Sequence, residues 1–192
     1  LSPEQVVRLA HEAGLSAIAL TDHDTTAGVA GAAEAGAELG LEVVPGIEVS
    51  SSFRDHEIHI LGLFVDTDSP SLQAALKEFR HHRDQRNQEM LGRFDAHGIH
   101  LTAEDLCAGN PDTVITRAHV ARALLAKGLG PDLDHIFKKY LQYGGIYCPP
   151  KEFLPPEAVM EALLDSHAFV ALAHPFQYKL GDKATEELIA YL

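Results

Sequence analysis

Amphipathic stretches and short apolar runs alternate from the start of the chain in a repeating pattern of helix and strand. The predicted helices cover 3–13 and 27–39, and the apolar strands that follow them cover 16–20 and 41–44. Ser2 and Pro3 are typical of a helix start, and Gly14 of a helix end. The polar segment TDHDT follows the first strand, and PGIEVSS follows the second. The same structural unit therefore occurs twice in succession.

The unit occurs a third time near the other end of the chain, where helix 155–166 precedes the apolar run FVALA. His174 follows this run directly, His23 follows the first strand closely, and Glu48 lies in PGIEVSS after the second strand, so we expect these three residues at strand ends. Helices that alternate with short apolar strands are typical of a parallel α/β barrel or sheet. In such folds the carboxyl ends of the strands meet at one site. The pattern therefore predicts an α/β fold in which these polar side chains converge.

The alternation is interrupted between Ser69 and Pro156 by a stretch of different character. Its predicted helices cover 71–97, 102–107, 116–127 and 132–142. Proline pairs mark the far end of this stretch. We therefore predict a first part of the α/β domain, a mostly helical insertion and a second part of the α/β domain, at 1–68, 69–156 and 157–192.

The composition of the chain limits the classes of protein to which it can belong. A chain of 192 residues with 46% hydrophobic content can bury one core, or one core with an inserted subdomain. It has no apolar run of about 18 residues, so we expect no membrane anchor. The formal charge of -13 opposes stable binding to duplex DNA. Cys107 and Cys148 lack the paired spacing of a zinc ribbon or redox motif, which favours a cytoplasmic location.

Histidine is unusually frequent, with 12 residues against 15 of lysine and arginine, and it is the commonest metal ligand in proteins. His59 lies inside another predicted apolar strand, at 57–65, on the face opposite its isoleucine neighbours. The candidate metal ligands are three imidazoles and one carboxylate, all expected at strand ends, from His23, Glu48, His59 and His174. Such a set of nitrogen and oxygen donors suits Mn, Fe or Zn better than Ca or Mg.

Each of these residues alone has an ordinary structural explanation. The TDHDT segment is consistent with a capped turn in which an aspartate serves the next helix. Glu48 could pair with Arg54 or a nearby lysine. His59 could be a satisfied core histidine, and His174 could be a strand-end histidine that is hydrogen-bonded to a backbone carbonyl. The coincidence of all four positions favours a metal site, because a cation is the usual partner of a buried carboxylate.

The segments TDHDT, PGIEVSS, HEIHILG and ALAHP resemble, in this order, successive motifs of the polymerase and histidinol phosphatase (PHP) family. The helical insertion before ALAHP resembles the branch that acts on nucleoside bisphosphates, nucleoside monophosphates and RNA 5′ ends. The resemblance implies a distorted (β/α)7 barrel. It also implies that this chain is a partial barrel, since the family's opening DLHxHS and SDG motifs and its closing SDxH motif are absent from the sequence.

The resemblance also implies roles for individual residues. Glu48 resembles the carboxylate that bridges two metal ions, and His59 and His174 resemble the residues that complete the second ion. His23 is similar to a ligand of a third ion. The implied cofactors are two or three ions of Mn, Fe or Zn, and the implied catalytic residues are Glu48, His23 and His174. The implied reaction is hydrolysis of nucleotide phosphate esters by a metal-activated hydroxide.

The insertion supplies candidates for binding the implied substrate, a nucleotide or a short RNA. Arg86, Asn87, Gln88 and Arg117 match places where relatives hold phosphate or nucleotide, and His119 lies beside Arg117 in ITRAHVAR. The alternative for such basic residues is a solvated helix face.

Two other functions remain open from the sequence. One is a phosphatase for a different small ester, such as histidinol phosphate, although the helical insertion argues against it. The other is a non-catalytic PHP module whose metal site is structural. The flanking metal motifs discriminate between an enzyme and such a module.

Overall fold

The computed structural model describes residues 1–54, 56–107 and 115–192, apart from the side chains of Ala103 and Cys107. The helices of these residues are α1 Pro3–Glu12, α2 Val29–Leu39, α3 Pro70–Ala96, α4 Ala103–Cys107, α5 Arg117–Ala126, α6 Leu133–Tyr140, α7 Pro156–Asp165 and α8 Asp182–Tyr191, with a 3-10 helix at Pro175–Tyr178. The helices predicted from the apolar pattern are confirmed. Ser2 caps α1 as expected, in a reciprocal pair of hydrogen bonds with Gln5.

The described residues also form a four-stranded sheet with the order β1-β2-β3-β4. Its strands are β1 Ala17–Leu20, β2 Glu42–Phe53, β3 His56–Leu63 and β4 Phe169–Leu172. The fold is therefore mixed α/β, as predicted, and closure into a (β/α)7 barrel stays a prediction. The expectation of a parallel sheet is correct for β1 with β2 and wrong for the other pairs, which are antiparallel. The connection from Phe53 to His56 is too short for a parallel crossover, so β2 and β3 form a hairpin.

The chain divides into two compact units, Leu1–Arg80 with Phe153–Leu192, and His81–Glu152. The domain boundaries predicted at 68/69 and 156/157 stay a prediction. In the first unit, one apolar cluster joins α1 and α2 to β1, and a second joins the sheet to α7 and the start of α3. The first cluster comprises Val7, Ala10, Leu20, Val29, Ala32, Ala35 and Leu41. The second comprises Ile47, Val49, Ile60, Val65, Leu72, Leu76, Phe79, Leu154, Val159 and Leu163.

The second unit is mostly helical and has a core of its own. That core comprises Met90, Phe94, Leu106, Val120, Ala121, Ala123, Leu124, Ile136, Tyr140, Leu141 and Cys148. Phe94 stacks on Tyr147 with 4.8 Å between the ring centroids. Cys148 is a free, buried thiol within this core. In the part of the chain that the structure describes, no helix has the length and apolar character needed to cross a membrane.

Gly36 marks the closest approach of α2 to β2. A Cβ at this position would lie 2.6 Å from the Leu41 carbonyl oxygen and 2.6 Å from Val43 Cγ2. A backbone carbonyl cannot rotate away, so a larger residue must push the helix off the strand. Gly31 in the same helix differs, because a Cβ there would meet only the Glu4 side chain, at 2.6 Å from its Oε1.

We therefore expect Gly36→Ala to reduce the free energy of unfolding by about 1–3 kcal/mol, through overpacking. Gly31→Ala is the matched control, since Glu4 can change rotamer and the alanine favours the helix by about 0.5–1 kcal/mol. Urea unfolding of both variants measures the difference. Equal effects of the two substitutions would show that α2 does not depend on this close approach.

Candidate metal centre

The four predicted ligands belong to the first unit and reach one place from different positions. His23 follows β1 and His174 follows β4, as predicted. Glu48 and His59 lie inside β2 and β3, so the expectation that all four stand at strand ends is wrong. The antiparallel register explains why. Ser50 pairs with His59, and Glu48 precedes Ser50 by two residues, so Glu48 and His59 are diagonal neighbours on one face.

One oxygen of Glu48 lies at the centre of the cluster. Its Oε1 is 2.9 Å from His59 Nδ1 and 2.9 Å from His174 Nε2. The two imidazole nitrogens are 3.0 Å from each other. The side chains are shielded from solvent, with relative exposures of 16% for Glu48, 17% for His59 and 30% for His174. Three donor atoms thus form a nearly equilateral triangle in a partly buried place.

The second oxygen of Glu48 faces a different histidine. His23 Nε2 lies 3.9 Å from Oε2, and the side chain of His23 is 55% exposed. Ligand atoms of His23, Glu48 and His59 all lie within 4.8 Å of one another. The carboxylate therefore presents Oε1 to two imidazoles and Oε2 to a third. This is the orientation in which a carboxylate bridges two neighbouring cations.

The donor set fits a divalent cation on chemical grounds. An imidazole nitrogen that accepts and a carboxylate oxygen both present lone pairs, and three such atoms this close repel one another unless a proton or cation lies between them. Donor atoms about 2.1 Å from an ion and at right angles to one another are ~3.0 Å apart, which matches the triangle. The arrangement is therefore compatible with an ion bound by imidazole and carboxylate together.

Glu57 orients the His59 ring. This contact was not predicted from the sequence. A Glu57 carboxylate oxygen lies 3.3 Å from His59 Nε2. This carboxylate raises the pKa of His59, and Glu48 adds to the effect while burial opposes it. In the tautomer with its proton on Nε2, His59 would donate to Glu57 and keep the Nδ1 lone pair for an ion. Carboxylates commonly orient metal-binding histidines in this way. The alternation of residues on β3 gives the signal, because Glu57 and His59 share a face.

Asp24 fastens the TDHDT loop to β2 on both sides of Glu48. Its backbone N–H donates to the Glu48 carbonyl oxygen at 2.9 Å, and the Glu48 N–H donates to the Asp22 carbonyl at 3.2 Å. The buried Asp24 carboxylate accepts the Ser50 N–H at 2.8 Å. Asp24 adopts a left-handed φ of 55°, which aspartate tolerates better than most residues. The loop thus extends the parallel pairing of β1 with β2 and places His23 beside Glu48.

His174 has a strained backbone, with φ 31° and ψ 54°. Its ring nitrogen Nδ1 is buried and has no hydrogen-bond partner in the described residues. Left-handed conformations of residues other than glycine cost free energy and occur often at functional sites. The strained turn directs Nε2 into the cluster instead of along the sheet.

Two of the ordinary structural explanations, those for Glu48 and for the TDHDT segment, do not fit the observed contacts. Arg54 pairs with Glu187 at 2.7 Å, and the histidines contact Glu48 instead. The carboxylate of Asp24 serves Ser50 of β2. The N-cap of α2 is Gly28, without a side-chain cap. The cluster therefore keeps its donor atoms for one another or for an ion.

The substrate-binding candidates lie in the second unit, where two of them approach the same aromatic ring. The Arg117 guanidinium lies over Tyr143, 3.6 Å from the ring centroid, and that of Arg86 lies 5.9 Å from the same centroid. Arg117 also donates to the Leu141 carbonyl at 2.9 Å. These contacts hold the two cations close together on one surface of the unit. Tyr143 was not identified from the sequence.

The other three candidates differ in their surroundings. Asn87 is buried, and its amide donates to the Ile115 carbonyl at 2.9 Å. Gln88 lines a cleft of about 450 Å³ that Arg86 also lines. His119 caps α5, since its Nδ1 accepts the Thr116 N–H at 3.2 Å. A role of these residues toward substrate stays a prediction.

Comparison with known proteins identifies the family. The profile of the PHP domain matches residues 1–147, and the chain belongs to this family. The chain is 35% identical to the 5′-3′ exoribonuclease Rnm of Escherichia coli K12, over 100% of its own length and 66% of that protein. It is 34% identical to a 3′,5′-nucleoside bisphosphate phosphatase of Chromobacterium violaceum, over 98% of its length and 67% of that protein.

A solved structure shares the fold across almost the whole chain. It is a Chromobacterium violaceum protein described as an amidohydrolase, with bound sulfate and no metal. It superposes with a TM-score of 0.88 and 34% sequence identity, over 99% of this chain and 67% of that one. This chain thus spans about two thirds of the length of the relatives that it matches.

The cap formed by His119 makes the second unit sensitive to pH. Burial, with a smaller effect of Arg122, lowers the pKa of His119 below its ordinary value of 6.5. Protonation of Nδ1 would also remove the acceptor for the Thr116 N–H. The unfolded chain therefore takes up this proton first, so the stabilisation is complete above pH 6.5 and is lost as the pH falls toward the lower folded pKa.

We expect His119→Gln to reduce this loss, because glutamine keeps an acceptor for the cap and does not titrate. The measurement is urea unfolding of wild type and variant at pH 7.5 and pH 5. The free energy of unfolding of wild type should fall more than that of the variant. Equal falls in both proteins would contradict the role of His119 as a titrating cap.

Proposed function

We propose that this chain carries part of the active site of a metal-dependent phosphoesterase that hydrolyses phosphate esters of nucleotides. The substrate class comprises nucleoside bisphosphates, nucleoside monophosphates and RNA 5′ ends. The observation that carries the proposal is the orientation of Glu48, which presents one oxygen to His59 and His174 and the other to His23. A site that holds two cations side by side suits phosphoryl chemistry.

The proposed ligands are Glu48 as the bridge, His59 and His174 for one ion, and His23 for a neighbouring ion. Bound divalent ions of Mn, Fe or Zn would supply activation of water and neutralise charge on the phosphoryl oxygens. Glu57 holds a proton at Nε2 of His59, and Asp24 fixes the backbone around Glu48. The protein thus positions each donor atom before any substrate binds.

Charge supports the requirement for cations. The chain carries a formal charge of -13, and a nucleotide brings further negative charge. A protein with this net negative charge repels a phosphate ester unless positive charge is concentrated at the site. We place this positive charge in the metal ions. The complete protein would close the sheet into a (β/α)7 barrel and hold two or three ions.

The choice of nucleotides rests on the relatives, which are named as an exoribonuclease and as a nucleoside bisphosphate phosphatase. It also rests on the arginine and aromatic side chains of the second unit. Guanidinium groups bind phosphate through charge-assisted hydrogen bonds, and an adjacent aromatic ring can stack on a base. We assign this binding role to Arg86, Arg117 and Gln88.

Glu48→Gln is the direct test, because it keeps the size of the side chain and removes its charge. In the full-length protein we expect metal affinity to fall by at least ~10–100-fold, the loss typical of groups that only support a metal ligand. Release of phosphate from nucleoside bisphosphates and 5′-phosphorylated RNA should be abolished. Glu42→Gln on the exposed start of the same strand is the matched control.

Isothermal titration with Mn²⁺ and a phosphate-release assay measure the two effects. A wild-type protein that binds ions but releases no phosphate from any of these substrates would favour a non-catalytic module with a structural metal site. Ion binding and hydrolysis that survive in the Glu48 variant would contradict the proposed site.

Arg117→Ala tests the binding role separately. Loss of one charge-assisted hydrogen bond to phosphate should raise KM about 10–100-fold, corresponding to ~1.5–3 kcal/mol, and leave metal content unchanged. Arg122→Ala, in the same helix and exposed to solvent, is the control. Steady-state kinetics on a nucleoside bisphosphate gives KM for both variants, and metal analysis gives their metal content. An unchanged KM would limit Arg117 to a structural role, through its contacts with Tyr143 and the Leu141 carbonyl.

A further inference from the structure

A tyrosine hydroxyl is inserted between two strands beside the candidate metal ligands. Tyr178 Oη accepts the His59 backbone N–H at 2.8 Å and donates to the Ala173 carbonyl at 2.7 Å. The phenol belongs to the 3-10 helix Pro175–Tyr178, which follows His174 directly. One side chain thus contacts the backbone of His59 on β3 and the residue that immediately precedes His174.

The inserted hydroxyl replaces one of the two backbone hydrogen bonds of an antiparallel residue pair. Ile60 is opposite Leu172, so the next pair outward is His59 with Ala173. The Ala173 N–H donates directly to the His59 carbonyl at 3.0 Å, as in a hydrogen-bonded antiparallel pair. In such a pair the His59 N–H would return a bond to the Ala173 carbonyl. Here the Tyr178 hydroxyl lies between the His59 N–H and the Ala173 carbonyl. Two hydrogen bonds in series hold these two backbone groups farther apart than one direct bond would.

The wider spacing occurs where β3 and β4 separate beside the cluster. Beyond Ala173 the chain turns through the left-handed backbone of His174, whose carbonyl accepts the Gln177 N–H at 2.9 Å. The ring of Tyr178 packs edge-on against the His174 ring, with 5.4 Å between centroids. Tyr178 therefore restrains the His59 backbone through its hydroxyl and the His174 ring through its own ring.

We propose that Tyr178 is a positioning residue that sets the separation of His59 and His174, and so tunes the affinity of the site for its metal ion. The proposal rests on the proposed function, because it assigns these histidines to a metal. Tyr178 does not contact substrate in this account. It acts through the two ligands whose backbones and rings it holds.

Tyr178→Phe removes the bridging oxygen and leaves the ring. The matched control is Tyr191→Phe, which removes a hydroxyl bonded to the exposed Glu157 in the same unit, away from the histidines. In the full-length protein we expect Mn²⁺ affinity to fall about 10–100-fold in the Tyr178 variant, as for other groups that orient metal ligands, and less than about threefold in the control. Isothermal titration calorimetry measures both.

A second readout does not depend on metal. In the metal-free protein, amide hydrogen exchange reports the His59 N–H, whose acceptor is the Tyr178 hydroxyl. We expect this amide to exchange at least about tenfold faster in Tyr178→Phe than in wild type or in Tyr191→Phe. Unchanged exchange would mean that the strands close into a direct ladder bond, and the hydroxyl would not be needed as a spacer.

The outcomes separate this inference from the proposed function. A wild type that binds Mn²⁺ without hydrolysing any nucleotide overturns the function, while weakened binding in Tyr178→Phe still supports the positioning role. Equal Mn²⁺ affinity in wild type and Tyr178→Phe overturns the positioning role, whatever the activity. A wild type that binds no divalent ion overturns both.

Discussion

The convergence of the Glu48 carboxylate with three imidazoles is the constraint on which the rest of the first unit depends. A carboxylate with 16% exposure loses much of its hydration, and the donor atoms around it lie within about one hydrogen-bond length of one another. Lone pairs this close are unfavourable without a positive charge among them. A cation would resolve the conflict, as would a proton, and the proposed phosphoesterase chemistry requires the cation.

The backbone around the cluster is arranged to hold these donors in place. The TDHDT loop continues the parallel pairing of β1 with β2, and Asp24 fixes it at a position where φ is 55°. The β2–β3 register brings Glu48 and His59 onto one face. His174 leaves β4 through a strained turn with an inserted tyrosine hydroxyl behind it. Local strain of this kind persists only where surrounding contacts determine the conformation.

The amphipathic and apolar periods predicted the helices and strands, because those periods report directly which faces are buried. The four clustered residues were also predictable, since polar side chains in or after apolar strands are unusual. The antiparallel pairing of β2, β3 and β4 was not, because periodicity carries no information on strand direction. The same limit explains why Glu48 and His59 were expected at strand ends. Glu57, Asp24 and Tyr178 contact the clustered residues or the backbone beside them through hydrogen bonds whose geometry exists only in the folded chain.

The central claim is that Glu48 bridges two cations, and anomalous diffraction tests it most directly. Crystals of the full-length protein grown with Mn²⁺ would be measured on both sides of the manganese absorption edge. We expect two anomalous peaks about 3.5–4 Å apart, one within ~2.0–2.4 Å of Glu48 Oε1, His59 and His174, and the other similarly close to Glu48 Oε2 and His23. Peaks that lie away from Glu48, or a carboxylate that contacts no ion at saturating Mn²⁺, would contradict it.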